Sequence, residues 1–139
     1  AASDTLPFSD SQFSFVLLTS VITHLRTADM VGYANEIGRL LTPGGRCFLS
    51  LFLMTGAAKD GLKADRRRLS FDPDGTGPEY LADPDHPAAA VAYDEGFLLD
   101  VFGAAGLRLA KPPAYGHWAT GDGAAAYQDL CLFEKETRR

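Results

Sequence analysis

Two short apolar stretches, FSFVLLT at residues 13–19 and RCFLSLFL at residues 46–53, decide the fold. Both are shorter than most helices and rich in aliphatic and aromatic residues, which is typical of strands buried on both faces of a parallel sheet. Between them, Met30, Ala34, Ile37 and Leu41 form an apolar stripe at helical spacing. The order strand–helix–strand predicts a βαβ unit with parallel strands and a right-handed crossover.

The remaining chain predicts three further elements. The glycines of Thr42-Pro43-Gly44-Gly45 are interpreted as a helix stop, because proline cannot continue a helix. Residues 55–92 are polar and have no sustained period, so we expect a long loop there. A helix is predicted over 94–105, and strands over 107–110 and 127–134, which are expected to be antiparallel neighbours. The fold class is therefore α/β, with three layers, one domain over residues 1–139 and one reversed strand at the edge.

Composition excludes several classes of protein. The 139 residues are 46% hydrophobic and 22% charged, which allows a packed core. The formal net charge of −5 provides no global basic field for nucleic acid. No apolar run reaches the roughly 18 residues of a membrane helix, and no signal peptide opens the chain, so we expect a cytoplasmic protein. Cys47 and Cys131 lie in apolar runs, which indicates buried, reduced thiols rather than a disulfide or a metal site.

Four sequence blocks resemble the class I, Rossmann-like methyltransferases that use S-adenosylmethionine. The resemblance lies in their order and spacing, and a tail of Tyr115-Gly116-His117-Trp118 followed by Gln128-Asp129 resembles the ending of a bacterial subgroup. Ser14 departs from the family pattern, which usually has Asp at that position. The four blocks are LPFSD at 6–10, FSFVL at 13–17, VITHL at 21–25 and EIGRLLTPGG at 36–45.

The resemblance implies only the C-terminal half of the family fold, its fourth to seventh strands. The glycine-rich loop after the family's first strand and the acidic residue after its second have no counterpart here. We therefore expect S-adenosylmethionine as the cofactor of a complete protein, a small molecule or sugar of bacterial surface or secondary metabolism as the methyl acceptor, and little or no activity from this chain alone. A non-catalytic binding or assembly module derived from such an enzyme is the alternative. Half of a nicotinamide oxidoreductase is a weaker one, because VITHL and the antiparallel last strand argue against it.

The resemblance also implies site residues. His24 is the candidate catalytic residue, since imidazole titrates near neutral pH, although it could instead brace its loop by hydrogen bonds. Thr19 and Ser20 follow the carboxyl end of a strand, where ligands of α/β sheets bind. Trp118 could contact the acceptor or pack over the sheet. The full set of expected cofactor-binding residues is Ser3, Asp4, Leu6, Thr19 and Ser20, and that of substrate-binding residues is Tyr93, Tyr115 and Trp118.

The remaining expectations concern charge clusters and partners. Lys63, Arg66, Arg67 and Arg68 form the one dense basic cluster, which could bind an acidic acceptor but is more simply a solvated face. In the family, the strand at 13–19 pairs with a strand that this sequence lacks. An unpaired apolar strand edge joins other chains. We therefore expect either a homo-oligomer or a missing N-terminal half to cover this edge, with no nucleic acid or membrane as partner.

Overall fold

Strands and helices alternate through most of the chain in the computed structural model, which describes residues 5–65, 71–121 and 124–137. A short 3₁₀ helix, Ile22–His24, follows the first strand. The helices are α1 (Thr27–Leu40), α2 (Gly56–Ala64) and α3 (Glu95–Ala104). The strands are β1 (Phe13–Leu18), β2 (Leu41–Leu51), β3 (Leu53–Met54), β4 (Glu79–Leu81), β5 (Val91–Asp94), β6 (Leu107–Leu109) and β7 (Asp129–Lys135).

The strands form two sheets. The larger sheet has the order β1-β2-β7-β6, with β1 parallel to β2 and with β7 antiparallel to both of its neighbours. The smaller sheet has the order β3-β5-β4, with β3 parallel to β5 and β4 antiparallel to it. The predicted α/β class, the parallel βαβ unit and the antiparallel final pair are confirmed. The reversed strand was expected at the edge and this was wrong, because β7 lies between β2 and β6.

Two apolar clusters hold the helices against the sheets. The larger cluster joins the stripe of α1 and the buried residues of α3 to alternate residues of β2 and β7, among them Leu49 and Phe133. The smaller cluster joins α2 to Phe52, Tyr80 and Trp118. The α1 helix approaches the end of α3 closely at Gly38, where a Cβ atom would lie 2.3 Å from a backbone carbonyl oxygen. A side chain at this position would push the two helices apart.

The expectation of a long loop over residues 55–92 was wrong in part. The segment contains α2, β4 and part of β5, because Leu62, Phe71 and Tyr80 supply enough apolar surface to pack into the smaller cluster. Thr55 caps α2, since its hydroxyl oxygen accepts from the Ala58 N–H at 3.1 Å. The apolar residues are spaced too irregularly along the sequence to show a period. The predicted basic residues Arg66, Arg67 and Arg68 lie outside the described part of the chain, and Lys63 pairs with Asp74 at 3.4 Å.

Strand β1 was expected to be buried on both faces, and this was wrong. Phe15 and Leu17 are 53% and 59% exposed, and they lie on the same face of the strand. The strand is at the edge of its sheet, so β2 is its single strand partner in the described part of the chain. The apolar composition is that of a central strand, while the position is that of an edge strand.

Arg39 explains why the first and last of the four sequence blocks occur together. Its guanidinium donates to the Glu36 carboxylate at 2.7 Å, to the Asp10 carboxylate at 2.8 Å and to the Phe8 and Leu6 carbonyl oxygens. The hydrogen bond from Arg39 lowers the pKa of Glu36. This network fastens the segment before β1 to the last turn of α1, so these residues have a structural role.

The Thr42-Pro43-Gly44-Gly45 stretch follows α1 directly, as predicted, but it lies inside β2. Phe13 pairs with Leu41 and Phe15 with Arg46, so the intervening residues bulge out of the ladder. Gly44 has φ +79°, which an L side chain rarely adopts. The glycine therefore permits the turn at the start of β2, which is the opposite end of the strand from its carboxyl end.

Glu79 of β4 caps the beginning of α1 from a distant part of the chain. Its carboxylate accepts from the Thr27 N–H at 3.0 Å, from the Thr27 hydroxyl at 2.7 Å and from the Arg26 guanidinium at 2.7 Å. Partial burial would raise the pKa of Glu79, but these hydrogen bonds together outweigh burial and lower it. The contact fixes the 55–92 segment against the beginning of α1.

Cys47 and Cys131 are free and buried in β2 and β7, as expected. Burial raises the pKa of each thiol to about 12, so neither forms a thiolate near neutral pH. In the described residues, every helix is too short or too polar to cross a bilayer.

Candidate functional site

The carboxyl ends of β1 and β2 meet at one rim of the larger sheet. Ser20, just beyond β1, has φ +56°, a left-handed conformation that turns the chain sharply away from the strand. Its N–H donates to Ser50 Oγ at 2.9 Å, and its Oγ accepts from Gln128 Nε2 at 3.0 Å. Strands β1 and β2 are parallel, and β3 follows β2 after a single residue. The strand ends at Thr19 and Met54 therefore lie at the same rim, as the sequence predicted.

Gln128 carries an unsatisfied polar atom at this rim. Its amide nitrogen is bound to Ser20, whereas its Oε1 is buried and has no hydrogen-bond partner in the described structure. Buried polar atoms nearly always find a partner in native proteins. The rim formed by Ser20, Ser50 and Gln128 therefore contains an acceptor that the described residues leave unused.

A cavity of about 370 Å³ lies beside the rim. One wall is formed by Leu53 and Thr55, where β3 ends and α2 begins, and the opposite wall by the loop that contains Tyr115 and Trp118. Two carboxylates line it, those of Glu95 and Asp129, and no basic side chain does so among the described residues. The full described lining is Leu53, Thr55, Ala57, Ala58, Glu95, Tyr115, Gly116, Trp118, Ala119, Thr120, Ala124 and Asp129.

Asp129, the first residue of β7, ties the two walls together. Its Oδ2 accepts from the Leu53 N–H at 2.7 Å and from the Trp118 indole N–H at 3.0 Å, and its Oδ1 accepts from the Gly116 N–H at 2.7 Å. Burial raises the pKa of this carboxyl, while the three N–H donors oppose the shift. The three bonds use three of the roughly four acceptor positions of the carboxylate, so Asp129 holds the shape of the cavity.

Gly116 shows how tightly the loop is fastened to β7. A Cβ atom at this position would lie 2.3 Å from the Tyr127 carbonyl oxygen and 2.4 Å from the Gln128 carbonyl oxygen. No flexible side chain is involved that could move aside. The loop can therefore reach Asp129 because a glycine lies at the contact.

Glu95 and Tyr115 form the polar end of the cavity. The Tyr115 hydroxyl donates a short hydrogen bond to Glu95 Oε2. Burial and this bond raise the pKa of Tyr115 to about 12, so the phenol stays protonated at neutral pH. Glu95 lies in the first turn of α3, where the helix dipole stabilises its negative charge.

The structure brings four of the residues predicted for the site to this region. Thr19 and Ser20 are exposed at the rim. Tyr115 and Trp118 line the cavity, and Trp118 also packs edge-on against Phe52 with ring centroids 5.1 Å apart. The packing alternative for the tryptophan is therefore observed, while contact with an acceptor stays a prediction for the part of the ring that forms the cavity wall.

Two other predicted residues lie elsewhere. Tyr93 is fully buried in the larger cluster, and its hydroxyl donates to the Leu25 carbonyl oxygen at 2.6 Å. Leu6 lies against Glu36 and Arg39 at the end of α1, away from the rim where α1 begins. Ser3 and Asp4 lie outside the described part of the chain.

His24 is at the rim but does not line the cavity. Its Nδ1 lies 2.8 Å from the Ala88 carbonyl oxygen, which requires the proton on Nδ1 and leaves Nε2 unprotonated in the neutral ring. The residue therefore braces the 55–92 segment through its Nδ1. A catalytic role for His24 stays a prediction.

Sequence reasoning missed Ser50, Thr55, Glu95 and Asp129 as site residues. Ser50 is a polar residue in the middle of an apolar strand, and this was the available signal. Asp129 stood in the quoted Gln128-Asp129 pair, without an assigned role. Glu95 has no signal in the sequence, because its place in the cavity depends on the distant loop that carries Tyr115.

Comparisons with known proteins agree with this geometry. Residues 1–49 match the family model of a methyltransferase domain. A SAM-dependent methyltransferase from Methanosarcina mazei superposes with a TM-score of 0.66 at 21% identity, over 99% of this chain and 66% of that one. The PH0226 protein from Pyrococcus horikoshii superposes with a TM-score of 0.63 at 13% identity, over 98% of this chain and 57% of that one.

A third similar structure contains ligands. It is the 1,6-didemethyltoxoflavin-N1-methyltransferase of Burkholderia thailandensis with bound 1,6-didemethyltoxoflavin and S-adenosylhomocysteine, with a TM-score of 0.55 at 16% identity over 97% of this chain and 48% of that one. As the resemblance implied, the chain has the fold of these methyltransferase structures. It spans between 48% and 66% of the length of these three structures.

Proposed function

We propose that this chain supplies the acceptor side, and one edge of the cofactor side, of an S-adenosylmethionine-dependent methyltransferase acting on a small molecule or sugar. The observation that carries the proposal is the junction of rim and cavity. Gln128 bonds Ser20 at the rim, and its chain neighbour Asp129 bonds both walls of the cavity. Two adjacent residues thus fix a solvent-facing strand tip and an apolar cavity side by side, as a transfer between two bound molecules requires.

The residues at the rim fit one edge of the cofactor. Thr19 and Ser20 are exposed at the carboxyl end of β1, and Gln128 has a buried acceptor oxygen with no partner among the described residues. When bound, S-adenosylmethionine supplies an electrophilic methyl group on a positively charged sulfur. The chain's own residues position the acceptor beside it and exclude water from the cavity.

We further propose that the 139 residues bind the cofactor weakly and are inactive by themselves. In the described part of the chain, no strand is followed by a glycine-rich loop that opens a helix, the arrangement that binds nucleotide-like ligands in such sheets. The unpaired edge of β1, with Phe15 and Leu17 exposed, is then the surface on which a second copy or an N-terminal half packs.

Nuclear magnetic resonance tests the location of the cofactor edge. We expect S-adenosylhomocysteine at about 10 mM, roughly ten times a dissociation constant of about 1 mM, to shift the backbone signals of Thr19 and Ser20 and the side-chain amide of Gln128. Ser20→Val strains the left-handed backbone and removes the hydroxyl, so it should abolish these shifts. Ser14→Val, on the exposed edge of the same strand, is the matched control and should retain them.

The alternative, a non-catalytic binding or assembly module, predicts a different result. Such a module has no reason to recognise the cofactor product at the tip of β1. Unchanged signals at the rim in the unmodified chain, or equal shifts in the S20V and S14V variants, would contradict the proposed function and favour the module.

A further inference from the structure

The polar end of the cavity is acidic. Glu95 and Asp129 are the charged side chains among the described lining residues, and the rest of that lining is apolar or neutral. The basic side chains of the neighbouring α2 are engaged elsewhere, since Lys59 lies 5.6 Å from the centre of the Tyr80 ring and Lys63 pairs with Asp74. Among the described lining residues this negative charge is unbalanced, and such a field in a partly enclosed cavity attracts cations and repels anions.

The two carboxylates differ in what they can still bind. Asp129 accepts three hydrogen bonds from the protein and is almost fully buried, so it has little capacity left for a ligand. Glu95 accepts one, from Tyr115 to Oε2, and no described residue donates to its Oε1. Because ionised carboxylates accept several hydrogen bonds, Glu95 has capacity left for a donor that enters the cavity.

The N-terminus of α3 does not reverse this preference. Free N–H groups at a helix start attract anions, but Asp94 caps this helix by accepting from the Phe97 N–H at 3.0 Å. Glu95 adds a second negative charge in the same turn. The helix start therefore presents the Glu95 carboxylate to the cavity, and Asp94 satisfies one of its N–H donors.

We propose that Glu95 selects a methyl acceptor that carries a protonated amine on a compact ring. The amine donates to Glu95 in a charge-assisted hydrogen bond, and the ring fills the apolar space between Leu53 and Trp118. Tyr115 orients the carboxylate. The identification of this ligand as a methyl acceptor rests on the proposed function, whereas its charge and its ring follow from the cavity itself.

The fluorescence of Trp118 measures this preference directly, since it is the one tryptophan of the chain and lines the cavity. Three probes share a shape and differ in charge: benzylamine is a cation at neutral pH, benzyl alcohol is neutral and benzoate is an anion. We expect benzylamine to bind at least about tenfold more tightly than benzoate, with benzyl alcohol between them. Glu95→Gln should reduce this ratio to less than about twofold, since an amide lacks the charge.

Two further variants complete the test. Glu136→Gln removes the charge of an exposed glutamate beyond β7 and should leave the tenfold ratio unchanged. Tyr115→Phe keeps the ring and releases Glu95 from its hydrogen bond, so the benzylamine preference should persist or increase. If Glu95→Gln disturbs folding, the Tyr115→Phe result still decides, because a hydroxyl-based recognition would be lost in that variant.

Several results would overturn the inference. Equal binding of benzoate and benzylamine, an unchanged ratio in Glu95→Gln, or no fluorescence response to any probe would each do so. Failure of this test with the Ser20 and Gln128 shifts intact refutes the acidic acceptor pocket and leaves the methyltransferase proposal standing. The opposite pattern refutes the methyltransferase proposal and leaves an amine-binding cavity.

Discussion

Two strands of the larger sheet differ sharply in how completely they are packed, namely β7, which lies between two other strands, and β1, which lies at the edge. At β7, Asp129 satisfies three N–H donors, and Cys131 and Phe133 are buried in the core. At β1, one backbone edge has no strand partner in the described structure, and Phe15 and Leu17 are more than half exposed. The cavity is thus formed by contacts within this chain, whereas the β1 side of the sheet has an open edge; in the proposed function these are the acceptor side and the cofactor side.

Phenylalanine substitutions in the two strands give the largest contrast. Phe133→Ala should lower the free energy of unfolding by about 3 to 5 kcal/mol, because the ring is fully buried and stacks on Phe102 at 4.5 Å between centroids. Phe15→Ala should change it by less than about 0.5 kcal/mol, since much of its ring is in water. Urea unfolding of both variants measures the difference, and a cost above about 2 kcal/mol for Phe15→Ala would show that the edge is covered in solution.

Asp129→Asn should have the next largest effect. Asparagine has one acceptor oxygen, so its amide N–H₂ faces at least one of the Leu53, Gly116 and Trp118 donors. A buried donor left unsatisfied costs about 1 to 3 kcal/mol. We expect that loss in urea unfolding, together with red-shifted Trp118 emission as the cavity loosens. Asp100→Asn, exposed on α3, is the control; equal stability of the two variants would mean that Asp129 does not hold the cavity.

Glu79→Gln should have a smaller, pH-dependent effect of about 1 kcal/mol near neutral pH, from the loss of a charged cap on α1. The pKa of Glu79 is lowered in the folded protein, so its contribution is fully present above its unfolded value of about 4.3 and disappears as the pH falls through the folded value. Unfolding of wild type and variant between neutral and acidic pH checks this. A stability gap that stays constant down to low pH would contradict the assignment.

Leu17→Lys should change assembly more than stability. Charge on an edge strand opposes strand pairing, so light scattering should report a larger assembly for the unmodified chain and a monomer for the variant. Ser14→Lys places the same charge on the other face and separates the effect of the apolar face from that of charge on the edge. A strictly monomeric unmodified chain would remove the need for a partner at β1.

The sequence was sufficient to predict the first βαβ unit and insufficient to predict its position in the sheet or the helix that follows it. The apolar runs and the helical stripe predicted β1, α1 and β2 because local periodicity reflects local structure. They could not show that β1 is an edge strand, because its composition would suit a central strand equally. The α2 helix was missed because its buried residues, Ala58 and Leu62, are too few to make a period.

The site was predictable to the extent that it lies at strand ends. Thr19 and Ser20 were found because the carboxyl end of a parallel strand is a general ligand position. Glu95 and Asp129 come together through hydrogen bonds with Tyr115 and Gly116, contacts between the ends of different elements. Tyr93 was expected to bind the substrate, but its side chain is fully buried in the larger cluster.

Calorimetric titration of the full chain with S-adenosylhomocysteine tests most directly whether the acceptor side is formed while the cofactor side is open. We predict a dissociation constant above about 100 µM, which corresponds to a binding free energy less favourable than about −5.5 kcal/mol, since only one edge of the ligand is contacted. Micromolar binding would contradict the account, because it would mean that these residues already enclose the cofactor.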